Sequence, residues 1–167
     1  MYRLLPLLFI VLLSCSKNRF SKSDCDIQQT RKENATKPTI TEGVWGTVSF
    51  TEGNCMPVVG PDITSCVTCP VQRTVRIYEY TTISQANYQP GSGGFYESFN
   101  TNLVSEVQTD ANGFFQAELP KGSYTVVIME KGKLYANLSD GQGGINPVVV
   151  EGGREQLDVN INYQAAY

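Results

Sequence analysis

The sequence predicts an all-β fold, an antiparallel β-sandwich of seven to eight strands, and three observations carry that expectation. Apolar side chains recur at every second position in short runs after residue 43, the period of a strand with one buried face. Clusters of Gly, Pro, Asn and Asp separate those runs. No segment keeps a helical repeat over ten residues. At 167 residues and 41% hydrophobic composition, the chain has room for one ordinary domain with its own core.

The first strand is expected over residues 43–50, where Val44, Gly46, Val48 and Phe50 alternate with Trp45, Thr47 and Ser49. Residues 74–80 place Val75 and Ile77 on one face and Arg76, Tyr78 and Tyr80 on the other. Leu103, Val104 and Val107 mark a third strand. The Asp110-Ala111-Asn112-Gly113 stretch after it signals a hairpin, because Asn and Gly tolerate positive φ. Phe115, Ala117 and Leu119 share one face of the fourth strand. Pro120-Lys121-Gly122 then turns the chain, and Tyr124, Val126 and Ile128 alternate in the fifth. Weaker strands follow at 134–138 and 147–150. In the last, Leu157, Val159, Ile161 and Tyr163 alternate with Asp158, Asn160 and Asn162, a strand that closes the sandwich.

Residues 1–14 hold a short charged start and an apolar run over 4–13. That run is shorter than the roughly 20 residues a membrane-spanning helix needs and suits a secretory signal. It ends in Leu12-Leu13-Ser14-Cys15, which resembles a bacterial lipobox. The resemblance implies cleavage before Cys15, acylation of that cysteine, and a protein anchored to a membrane without spanning it. Several acyl chains, at about 0.8 kcal/mol per buried methylene, exceed what stable anchoring requires. Ser16 stands where an aspartate would mark inner-membrane retention, and no acidic run follows. By the same resemblance the location is the outer membrane, on its periplasmic face. Residues 15–42 are polar apart from Phe20 and Ile27 and read as a tether with a reach of about 30 Å. A disulfide at Cys25 would pin part of it. The domain proper is residues 43–167.

The chain contains no histidine, which removes Ser-His-Asp triads, histidine-paired thiol nucleophiles and imidazole metal ligands. A net charge of −3 argues against a surface that neutralises nucleic-acid phosphates. Cys25, Cys55, Cys66 and Cys69 remain after lipidation, an even number in an oxidising compartment, and two disulfides are expected with all three pairings open. A redox reading of Cys66-Val67-Thr68-Cys69 lacks the helix N-terminus that stabilises a thiolate, and a four-cysteine zinc site lacks a second closely spaced pair. Asp110 and Asn112 read as turn residues, since no bidentate acid follows as a calcium loop demands. The glycine clusters at 91–94 and 141–144 read as loops, since no Lys-Ser/Thr pair and helix follow them. No metal and no cofactor are expected.

The stretch over 107–126, with Thr109-Asp110, Gly113-Phe114-Phe115 and Leu119-Pro120-Lys121-Gly122-Ser123-Tyr124, resembles the signature of carboxypeptidase regulatory-like domains, transthyretin-like sandwiches. Gly46-Thr47-Val48 and Val75-Arg76-Ile77 fit its first strand and the strand after the first loop, and the likeness runs over about residues 43–163. The Gly53-Asn54, Met56-Pro57, 134–137 and Ile161-Asn162-Tyr163 stretches resemble those of Bacteroidota lipoproteins of this type. The resemblance implies a structural module with no catalytic residues. Aromatic residues crowd positions 78–99, and Tyr88, Phe95, Tyr96 and Phe99 are the candidate binding surface. The expected role is a non-enzymatic envelope lipoprotein that presents loops 51–73 and 84–101 to another envelope protein. The alternative is a carbohydrate-binding module in glycan uptake, with sugars stacked on the same rings.

Overall fold

A computed structural model describes residues 25–57 and 65–167. The signal segment and the lipidation candidate Cys15 lie outside the described residues. Among the described residues, no helix is long and apolar enough to cross a membrane.

The fold is an all-β sandwich, and each sheet is organised around one long strand. In the first sheet that strand is β1 (Gly43–Asn54). One flank of it pairs antiparallel with β8 (Phe114–Glu118) and then with β2 (Val67–Pro70). The other flank pairs with β12 (Arg154–Gln156) and then β13 (Val159–Ala166), both parallel to β1. In the second sheet β9 (Gly122–Glu130) pairs on one side with β3 (Thr74–Glu79) and on the other with β11 (Pro147–Val150) and β10 (Lys133–Tyr135) in tandem. Beyond β3 lies β7 (Leu103–Gln108), and beyond β10 lies β5 (Phe95–Tyr96). A separate pair joins β4 (Ala86–Asn87) to β6 (Ser98–Phe99).

The expected alternations set the interior. Val44 and Val48 of the first sheet meet Val75, Ile77, Val126 and Ile128 of the second, all fully buried. Tyr124 closes the turn that Leu119-Pro120 opens, its hydroxyl donating to the Pro120 carbonyl at 2.9 Å while its ring joins the core. Three details add to or correct the expectations.

First, the expected all-β sandwich with mostly antiparallel pairing is present, and within it β12 and β13 run parallel to β1. The C-terminal strand does close the first sheet, but in parallel, because the chain crosses from β11 to β12 and enters beside the start of β1, where Gly43 N–H donates to the Gly153 carbonyl. It is also interrupted: Asp158 turns its carboxylate onto the Thr47 N–H, at 2.8 Å, between β12 and β13.

Second, the turn at Asp110 is a crossover between sheets, not a hairpin. The Asp110 carboxylate accepts the N–H groups of Asn112 and Phe114, and Gly113 sits at φ +70° where a Cβ would lie 2.2 Å from the Val48 carbonyl oxygen. Yet β7 before it pairs with β3 and β8 after it pairs with β1. Burial pushes the Asp110 carboxyl up, but Lys37 and the two N–H donors outweigh it and hold it below the usual carboxylate range.

Third, the described part of the 15–42 tether is docked. Asp26 caps a short helix, α1 (Ile27–Asn34), by accepting the Gln29 N–H, and the Cys25–Cys69 disulfide pins its start. Asn34 is fully buried, donating to the Thr47 hydroxyl at 3.0 Å and the Asn112 carbonyl at 2.9 Å. Lys37 pairs with Asp110, and Thr39 exchanges two hydrogen bonds with the Gln116 amide. Residues 25–39 therefore cover the outward face of the first sheet at Thr47, while Ser49 and Thr51 on that face are buried and bonded to Asn160 and Thr68.

Candidate functional site

The second sheet is covered on its outward face as well, by the long connection from β3 to β7. It leaves Glu79, crosses to the far edge, pairs there as β5, and returns through β6. Its own hydrogen bonds hold it: Asn100 N–H to Gln85 O, Glu97 N–H to Asn87 O, and the Ser92 hydroxyl to Phe95 O. Residues 140–144 brace one side, with Asp140 accepting the Tyr80 hydroxyl and the N–H groups of Gln142 and Gly144, donors that lower its pKa.

This arrangement separates the four aromatic candidates. Successive side chains of β5 point to opposite faces, so Phe95 enters the sandwich and Tyr96 faces outward. The Phe95 ring lies 5.0 Å from those of Tyr135 and Tyr163, within the main core. Phe99 packs edge-on against both Tyr78 and Tyr96 in a second apolar cluster with Val127 and Leu134. Burial pushes the Tyr96 hydroxyl up, with a smaller contribution from Tyr88. Tyr88 alone stays at the surface, 40% exposed. Of the four candidates, Tyr88 is thus the exposed ring, and Phe95, Tyr96 and Phe99 are half-buried. Ile83 and Leu138, 40% and 57% exposed, complete an apolar patch that sequence inspection missed. A shallow hollow of about 260 Å³ lies among Ile83, Tyr96 and Leu138.

The four cysteines form Cys25–Cys69 and Cys55–Cys66. Cys66 and Cys69 take different partners, so the CxxC spacing is not a redox pair. Among the described residues, no group of three His, Cys, Asp or Glu side chains is placed to hold a metal ion.

A groove of about 590 Å³ opens where the two sheets end, a size within the usual range of ligand sites. Phe50 and Tyr163 meet edge-to-face at 5.5 Å in its lining, beside Val71, Glu52 and Gln164. At its back, Glu130 is 6% exposed and accepts from Arg73 Nε at 2.6 Å and from the Tyr163 hydroxyl at 2.9 Å. Burial and the Glu130 carboxylate push the Tyr163 hydroxyl up to about 12. It keeps its proton at neutral pH and acts there as a donor. Lys131 lies over the Tyr163 ring, 4.3 Å from its centroid. Arg73, Glu130 and Tyr163 are far apart in the chain, and no local pattern announced them.

No family model matches this chain, and neither a curated protein nor a solved structure does.

Proposed function

We propose that this chain is a non-enzymatic, membrane-anchored envelope lipoprotein whose sandwich presents an interaction surface to another envelope protein. The observation that carries the reading is the opposition of two faces. The N-terminal segment, ending toward Cys15, is stapled and docked on the outward face of the first sheet, while the apolar patch of Ile83, Tyr88 and Leu138 stands on the outward face of the second. A domain attached through residues 15–24 turns its patch away from the attachment. Ten residues span at most about 35 Å when extended, so confinement near the membrane raises the effective concentration of any partner held there.

The signal-like start and the Leu12-Leu13-Ser14-Cys15 stretch support acylation and an outer-membrane location with the domain on the periplasmic side. The order that Asp110, Gly113 and Tyr124 impose on the 109–124 signature supports the carboxypeptidase regulatory-like resemblance as a structural one. For the glycan alternative, Tyr88 is the exposed ring among the four candidate aromatics.

Two variants test the reading. Cys15→Ala releases the chain from the membrane fraction if Cys15 carries the lipid; retention refutes the anchor. A photo-crosslinking residue at position 138 captures one defined envelope protein in intact cells, whereas the same residue at position 32, on the docked helix, does not. Equal capture from both positions, or none, refutes the presented face.

A further inference from the structure

The groove at the sandwich end holds hydrogen-bonding capacity that the described residues leave unused. Arg73 spends Nε on Glu130 and Nη1 on the Gln72 carbonyl, and its Nη2 has no protein partner among the described residues. The guanidinium is held in place from behind: Glu130, whose side chain is 7% exposed, is fixed on its other oxygen by Tyr163. Its plane and its free edge are therefore set before anything binds. The Arg73 side chain remains 33% exposed, within the groove lining. Lys131 adds a second cation beside the Tyr163 ring.

We propose that this groove binds a ligand carrying one carboxylate, which takes the free edge of Arg73 while its apolar portion lies against Phe50 and Tyr163. A preset guanidinium edge matches a carboxylate better than a neutral hydroxyl, because charge-assisted bonds are about twice as strong and their planar geometry is shared. Glu52, also in the lining, opposes a second negative group, so a monoanion fits and a dianion such as phosphate does not. Arg73 and Lys131 balance Glu130 and Glu52, so the groove carries no net charge and the attraction for a single carboxylate is local to the Arg73 edge and to Lys131. The same chemistry has two sources in an envelope, the C-terminus of a peptide and a uronic acid of a glycan. This site is independent of the anchor and of the patch on the second sheet.

The test is a titration of the full chain in detergent, following the amide signals of Gln72, Arg73 and Gln164 and the Arg73 Nε–H by NMR. The probes are N-acetylalanylalanine and glucuronate, with N-acetylalanylalanine amide and glucose as their neutral counterparts. The expected result is saturable shifts with at least one carboxylate and none with its neutral counterpart. Tighter binding of the dipeptide assigns the source to a peptide terminus, and tighter binding of glucuronate to an acidic glycan. Arg73→Lys keeps a cation against Glu130 but loses the fork, and weakens binding about tenfold. Lys131→Gln, an exposed change on a turn, weakens it by a smaller factor. Equal binding of a carboxylate and its neutral counterpart, no saturable shift from either carboxylate, or affinities unchanged in both variants overturns the proposal.

Discussion

Replacing Cys25 and Cys69 together with serine removes the bridge that docks the N-terminal segment, and its cost follows from the loop it closes. The bridge spans 44 residues and Cys55–Cys66 spans 11. In the chain-entropy treatment, these lengths correspond to about 4 and about 2.8 kcal/mol at 25 °C. The smaller loop lies inside the larger one and shortcuts it to roughly 34 residues, which lowers the outer value only to about 3.8 kcal/mol. The outer bridge is thus expected to contribute about 1 kcal/mol more than the inner one. Urea unfolding followed by the fluorescence of Trp45, the single tryptophan, reads the difference among wild type, C25S/C69S and C55S/C66S. Hydrogen exchange in α1 adds a local readout, with protection falling in C25S/C69S and unchanged in C55S/C66S. A loss below about 1 kcal/mol in C25S/C69S, or a larger loss in C55S/C66S, refutes the argument that the outer loop dominates through the unfolded state.

Gly46→Ala places a Cβ 1.9 Å from the Leu157 carbonyl oxygen, a backbone collision, and is expected to cost at least about 2 kcal/mol; a urea midpoint equal to wild type contradicts it. Asn34→Ala strips the Thr47 hydroxyl and the Asn112 carbonyl of a buried donor and is expected to cost about 1–3 kcal/mol, measured the same way. Tyr163 titrates well above the ordinary tyrosine value of about 10. The sign is set by the proton: between the unfolded value and the folded value of about 12, the native chain retains a proton the unfolded chain has lost. The stability it contributes is therefore present below about pH 10 and lost as pH rises toward the folded value. Ultraviolet phenolate titration of wild type against Tyr163→Phe shows the late component missing in the variant, and an unchanged curve contradicts the assignment.

Much of the fold was legible because strand period and turn chemistry act over a few residues. Val75 and Ile77, or Tyr124, Val126 and Ile128, declare an interior face by spacing alone, and Asp110 with Gly113 declares a turn. Helix α1 was not legible, because it has no apolar stripe: a cap at Asp26, a disulfide and the buried Asn34 amide hold it. The covering of the outward face at Thr47 was hidden for the same reason. The aromatic crowd at 88–99 was visible as composition, but its division was not. Phe95 and Tyr96 are similar residues side by side, and only the pairing of β5 with β10 sends one inward and the other outward.

By itself, then, the sequence determined the β class, most strand positions, the existence of two disulfides, and the absence of imidazole chemistry. Each of these is a matter of residue type and local period. The tertiary structure decided which cysteines pair, which sheets the Asp110 turn connects, that the last strand runs parallel to the first, and that Arg73, Glu130 and Tyr163 meet at one end. These depend on closing loops of tens of residues, and the energies that choose among closures come from packing and pairing between segments that carry no local record of one another.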